Sequence, residues 1–300
     1  MPHISSILCP VDFSEFSIHA YEYAQSLAWH YKAKLILQHV LYPLEPFDFW
    51  DIYPGSYEEI CRKRRADVEQ QLEEFAKRHT RTEIQPQCFG QDGPVTDLIL
   101  SLAEAQAANL IVMGTHGRRG IDRLMLGSTT EKILRRARCP VLAVRKPAHH
   151  LKSSVQDPEP VHLRKILLCT DFSDPAHHAS EYALSMAREY GAELTLLHVL
   201  EDIPSSTGLQ SATEKVVKQL EESIAPKPDE ARDFKVMVRV GKPYQQIMQL
   251  ALESQTDLVI MGVRGRGALD TALFGSTTYR VIQLGSCPVL AVHVPAASIE

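Results

Sequence analysis

Leu110-Ile111-Val112-Met113-Gly114-Thr115-His116-Gly117 is a short apolar run that ends in glycine, and after nine intervening residues it is followed by Gly127-Ser128-Thr129-Thr130. The pattern returns as Leu258-Val259-Ile260-Met261-Gly262-Val263-Arg264-Gly265, followed at the same spacing by Gly275-Ser276-Thr277-Thr278. A continuous apolar run of this length suits a strand buried on both faces, as in a parallel sheet. The glycine-rich turn and the hydroxyl-rich helix start suit a phosphate. Glycine lets the backbone come close to an anion, and a helix N-terminus offers unpaired N–H groups and the positive end of a dipole.

Working outward, the whole chain reads as a duplication. Ile4 to Val11 is an apolar run followed by Asp12-Phe13-Ser14, and Ile166-Leu167-Leu168-Cys169-Thr170-Asp171-Phe172-Ser173 repeats it 159 positions later. Tyr23, Ala24, Leu27, Ala28 and Tyr31 match Tyr182, Ala183, Met186, Ala187 and Tyr190, at the spacing of one helical face. Ser14 and Ser173 are suited to cap these helices. A second strand follows in each copy, Lys34 to Val40 and Glu193 to Val199. Later landmarks align at an offset of 148: Gly93 with Gly241, Gly114 with Gly262, Cys139-Pro140 with Cys287-Pro288. The first copy therefore carries about eleven extra residues. The aromatic and proline-rich segment from Leu41 to Tyr57 is the expected place for them. It would form a loop that covers a ligand, meets a partner or packs on its own domain.

Each copy alternates strand and helix, which implies a parallel sheet with helices on both faces. The expected architecture is α/β, with two tandem doubly wound, Rossmann-like domains. Residues 1–146 and 163–300 form the domains, and the proline-rich, polar stretch 147–162 links them. A net charge of −5, with 44% hydrophobic and 23% charged residues, fits an ordinary globular protein and gives no reason to expect nucleic acid or membrane as a partner. No signal peptide is evident, and the six cysteines form no Cys-x-x-Cys. Buried free thiols in a cytoplasmic protein are expected.

In an open parallel sheet, ligands bind beyond the carboxyl ends of the strands. Asp12 and Asp171, Val40 and Val199, and Gly114 and Gly262 all end strands. Asp12 and Asp171 have a competing role as turn residues, and His39 and His198 suit packing or backbone bonding better than chemistry. The glycine loop has no Gly-Lys-Ser/Thr, so it is not a P-loop. Arg118, Arg119, Arg264 and Arg266 would supply positive charge or simply face solvent. Ser128 with Glu131 fits a capping box, which the second copy lacks. No catalytic triad and no metal-binding spacing stands out.

These residues together resemble the universal stress protein family in its tandem form. The most specific match is Gly-x2-Gly-x9-Gly-Ser, at Gly114, Gly117, Gly127, Ser128 and at Gly262, Gly265, Gly275, Ser276. It is similar to the ATP-binding signature of one branch of the family. The closing Cys-Pro-Val-Leu-Ala-Val segments also match. The resemblance implies a five-stranded parallel sheet in each half, of the adenine nucleotide alpha hydrolase-like kind. It implies ATP or another adenine nucleotide, with Mg2+, as cofactor. Pro10, Asp12, Val40, Thr170, Asp171 and Val199 would meet adenine and ribose. Met113, Gly114, His116, Gly117, Gly127, Ser128, Thr129 and Thr130 would line one phosphate path, and Met261, Gly262, Arg264, Gly265, Gly275, Ser276, Thr277 and Thr278 the other. Thr170 is taken to replace Pro10, and Val263-Arg264 to replace Thr115-His116, which makes two unequal sites the expectation. The closing strands would pair the halves as an internal pseudo-dimer, with a homodimer of the chain and an unknown protein partner beyond it. The function implied is a cytosolic ATP-binding stress-response regulator with slow or no hydrolysis. A true ATPase and a ligand-free scaffold are the competing readings.

Overall fold

In a computed structural model of the chain, the described residues are 3–42, 54–116, 125–145, 161–201, 209–223, 234–263 and 275–294. They form two compact units.

The first unit takes the described residues of Ile4–Ala137 and Val144–Val161. It contains β1 (Ser6–Pro10), α1 (Glu15–Tyr31), β2 (Lys34–Leu41), α2 (Pro54–His79), β3 (Gln87–Asp92), α3 (Val95–Ala105), β4 (Leu110–Gly114) and α4 (Ser128–Arg136). Its strands lie in the order β3-β2-β1-β4 and are all parallel. The order reverses between β1 and β4, which opens a crevice at their carboxyl ends. The apolar run that opens β4 is buried along its whole length, as both-face burial requires. Removing each such side chain from water contributes about 1.5–3 kcal/mol.

The second unit takes the described residues of Met1–His3, Arg138–Ala143 and His162–Glu300. In chain order it contains β5 (Val141–Val144, whose last residue falls in the first unit), β6 (Lys165–Cys169), α5 (Asp174–Tyr190), β7 (Glu193–Leu200), α6 (Leu209–Ser223), β8 (Phe234–Val240), α7 (Pro243–Glu253), β9 (Leu258–Gly262), α8 (Ser276–Leu284) and β10 (Val289–Val292). The order β10-β9-β6-β7-β8 is the expected five-stranded parallel sheet. The closing strand of the first repeat adds to its edge. Val141, Leu142 and Ala143 pair antiparallel with Ala291, Leu290 and Val289.

One local expectation is corrected. The extra length of the first copy lies largely in a helix: α2 has 26 residues and α6 has 15. Residues 43–53, the greater part of the aromatic segment, lie outside the described residues, as does the linker over residues 146–160. In α1 it is Tyr21 that enters the core, while Tyr23, on the face that repeats in α5, is half-buried. Tyr21 is fully buried because α2 covers it: its hydroxyl meets the Thr80 hydroxyl at 2.6 Å and its ring lies 5.4 Å from Phe75. The six cysteines are free, and burial pushes the Cys9, Cys139, Cys169 and Cys287 thiols upward, away from reactivity. Among the described residues no helix is long and apolar enough to cross a membrane.

Candidate functional site

The sheet register brings the sequence-separated parts of the site to one end. Cys9 and Pro10 of β1 pair with Leu37 and Gln38, and Leu8 pairs with Ile111 of β4. Asp12, Val40 and Gly114 therefore leave neighbouring parallel strands on the same side. In the second unit Cys169 pairs with both Leu197 and Met261, which places Asp171, Val199 and Gly262 together in the same way.

The turn after β1 is built alike in both units. Asp12 Oδ1 accepts from the Ser14 N–H at 3.1 Å and the Ser14 hydroxyl at 2.6 Å, and Asp171 Oδ1 accepts from the Ser173 N–H at 3.0 Å and from its hydroxyl. Each carboxylate thus closes an Asx turn. To make that turn, Phe13 and Phe172 adopt left-handed backbone, with φ of 61° and 63°. Side chains rarely take this conformation, and it costs on the order of 1–3 kcal/mol. Ring stacking offsets it: Phe13 lies 4.5 Å from the His39 ring, and Phe172 lies 4.7 Å from His198. Each histidine in turn donates from Nδ1 to a strand-end carbonyl, Val11 O at 2.6 Å or Thr170 O at 2.8 Å. His39 and His198 are thus backbone-bonded, and they fix where the aspartates emerge. Sequence reasoning missed both phenylalanines. Their one signal was a bulky residue recurring directly after the aspartate.

These bonds also correct the alignment at Thr170. Its N–H donates to Leu197 O as that of Val11 donates to Gln38 O, and both residues present their carbonyls to the histidine. Thr170 is therefore the counterpart of Val11, and the counterpart of Pro10 is Cys169. The Thr170 hydroxyl is turned inward and accepts from the Phe172 N–H at 3.0 Å.

At the phosphate end, a β-carbon on Gly114 would lie 3.0 Å from the Phe16 backbone, and one on Gly262 would lie 2.5 Å from the Pro175 backbone. The first glycine of each signature is required by the helix packed over it, and not only by an approaching anion. The Gly127 N–H donates to Thr115 O at 2.9 Å. The Thr130 hydroxyl donates to Gly114 O at 2.8 Å, and Thr278 does the same to Gly262 O at 3.3 Å. Strand end and helix start are thereby locked together in each unit.

The capping box does not form. Gly127 is the N-cap of α4 and Ser128 is its first helical residue, and no side chain caps the helix. Glu131 instead pairs with Arg135 at 2.8 Å. Gly275 caps α8 in the same uncapped manner. The N–H groups of Ser128, Thr129 and Thr130, and of Ser276, Thr277 and Thr278, have no carbonyl within their own helix to bind. Ser14 does cap α1 by accepting from the Ser17 N–H while it donates to Asp12, whereas Ser173 donates to Asp171 and makes no side-chain cap bond.

His116 is 6% exposed, its ring lies 5.1 Å from Phe16, and its Nδ1 meets the Thr115 hydroxyl at 2.9 Å. Its Nε2 makes no hydrogen bond of adequate geometry. Burial first, and then the charge of Arg145, hold the ring below the usual imidazole range, while the nearby Met125 backbone partly opposes them. Arg145 was not anticipated from the sequence. Gly117, Arg118, Arg119, Arg264, Gly265 and Arg266 lie outside the described residues. Among the described residues no cluster of three or more His, Cys, Asp or Glu could hold a metal.

A family model for the universal stress protein family matches residues 3–145 and again 162–293. A universal stress protein of Mycolicibacterium smegmatis is 28% identical over 301 residues, covering 96% of this chain and 96% of the relative. One from Thermus aquaticus is 32% identical over 141 residues, which is 43% of this chain and 98% of the relative. The crystal structure of a universal stress protein from Archaeoglobus fulgidus shares the fold, with a TM-score of 0.67 at 23% identity over 98% of both chains. With its doubled α/β architecture and a match in each half, the chain belongs to the universal stress protein family as a tandem of two of its domains.

Proposed function

We propose that the chain is a cytoplasmic stress-response regulator that binds an adenine nucleotide, ATP with Mg2+ foremost, in each half. One observation carries this reading. In both units a helix N-terminus without a side-chain cap is locked, by the same threonine hydroxyl bond, to the end of the strand beside the Asx turn. The three N–H groups there suit phosphate oxygens. Asp12 and Val40, or Asp171 and Val199, stand on the neighbouring strands, where the nucleoside would lie. Gly117, Arg264 and Gly265 would complete the phosphate paths.

Turnover is slow at most in this reading, because each aspartate carboxylate already closes its own turn and is poorly placed to activate water. Mg2+ would arrive with the phosphates it neutralises. Nucleotide occupancy would then change which protein partner the chain engages. Native mass spectrometry of the purified chain, followed by calorimetric titration with ATP, tests the proposal. Bound adenine nucleotide, or titration with two unequal affinities, is the expected result. Failure to bind any adenine nucleotide would refute it, and rapid multiple turnover would replace the regulator by an enzyme.

A further inference from the structure

The positions of His116 and Arg145 in the first half correspond, at the offset of 148, to Arg264 and His293 in the second. Each copy thus has one histidine and one arginine at these two places, with the identities exchanged. The two copies differ at both places and yet each keeps one of either kind. A surface loop has no reason to preserve such a pair, whereas a site that needs one permanent and one switchable cation does.

The described half of this arrangement is built around α4. His116 directly follows Thr115, whose carbonyl receives the Gly127 N–H, and the His116 Cα lies 3.7 Å from where a Gly127 side chain would begin. The ring therefore flanks the first turn of α4. It is buried and its Nε2 makes no hydrogen bond of adequate geometry, so in the empty site only the nearby Met125 backbone favours a proton on the ring, and burial outweighs it. The surrounding elements carry three charged groups of note: Glu15 on α1, Glu131 on α4 and Arg145 after β5. Glu131 is held by Arg135, and the charge that acts on the ring is that of Arg145. Adding a phosphate chain would reverse this balance. It would offer Nε2 an acceptor and set negative charge against both cations.

We propose that His116 is the proton-coupled contact of the first phosphate site: neutral when the site is empty, it takes a proton from solvent onto Nε2 as the phosphates of a nucleotide bind, with Arg145 as the permanent cation of the pair. Nδ1 keeps its bond to the Thr115 hydroxyl throughout. Binding then strengthens as pH falls, over the window between the ring's titration midpoints in the empty and the filled site, and becomes independent of pH below both. This inference rests on the adenine-nucleotide reading of the same site.

Histidine-selective NMR of the full chain tests it, with ATP as the probe and adenosine as the phosphate-free control. The His116 midpoint is expected to rise by about 1 unit or more in saturating ATP and to stay in place in adenosine, equivalent to about tenfold in ATP affinity across the window. Calorimetry in buffers of different ionisation heat should show less proton uptake by His116→Gln than by the native chain. If His116→Gln does not fold, Arg145→Gln identifies the resonance by raising its midpoint in the empty site. ATP binding with an unmoved His116 midpoint overturns the inference and leaves the nucleotide reading standing. No binding of ATP or adenosine overturns both.

Discussion

The Thr130 hydroxyl donates to the Gly114 carbonyl oxygen at 2.8 Å and ties the first turn of α4 to the end of β4. That carbonyl is buried at the point where the strand ladder stops, so the side chain supplies the partner that secondary structure does not. Thr130→Val keeps the shape and removes the donor. It is expected to lower stability by about 1–3 kcal/mol, the cost of an unsatisfied buried acceptor. Thr130→Ser should recover most of the loss. Urea denaturation of both variants checks this, and a loss from Ser with none from Val would show that the methyl group, not the bond, matters.

Among the described residues, the four glycines of the two signatures are not equivalent. A β-carbon on Gly262 would sit 2.5 Å from the Pro175 backbone, whereas on Gly275 its nearest neighbour is 3.7 Å away. Gly262→Ala is therefore expected to be severely destabilising, since the α5 backbone must move, and Gly114→Ala less so. Gly275→Ala should cost no more than about 1 kcal/mol. Thermal midpoints of the three variants give the ranking, and a benign Gly262→Ala would contradict the packing.

Lys32 ends α1 in left-handed backbone with φ of 54°, and its counterpart after α5 is Gly191 with φ of 64°. The first copy accepts strain that the second avoids. Lys32→Gly is expected to stabilise the chain by up to about 1 kcal/mol, since a glycine cap carries no β-carbon penalty. A fall in the denaturation midpoint would show that the lysine side chain contributes more than the strain costs.

Burial lowers the titration of both His116 and His79 in the folded chain. Their folded values lie below the unfolded value near 6.5, so on acidification the unfolded state binds protons first. The contribution to stability is fully present above about pH 6.5 and is lost as pH falls through the folded values. In the nucleotide-free chain the thermal midpoint should therefore decline as pH falls below about 6.5, and His116→Gln should flatten the decline. A profile unchanged by that substitution would show that His116 is not responsible.

Much of the site was legible because the chain repeats it. Two copies of an apolar run ending in glycine, and two of Asp-Phe-Ser after a strand, marked the strand ends and their common side. The exchange of His116 and Arg145 for Arg264 and His293 was also present in the sequence, but it had no meaning until the fold set His116 beside the first turn of α4 with the charge of Arg145 acting on its ring. The capping box was misread because Ser128-x-x-Glu131 has the right spacing, yet α4 begins one residue earlier than the box requires, with Gly127 at the cap position.

The sequence by itself determined the α/β class, the duplication, the buried strands and which strand ends share one side of the sheet. Those are local patterns of apolar period and glycine spacing, and each half repeats them independently. Tertiary structure alone decided why Gly114 and Gly262 must be glycine, why Phe13 and Phe172 bear left-handed backbone, and where β5 pairs. Each depends on an element distant in sequence: the backbone of α1 or α5 over the glycine, the histidine of the next strand under the phenylalanine, and β10 beside β5. Contacts of that kind are set by how packed surfaces meet, and no window of neighbouring residues contains both sides of them.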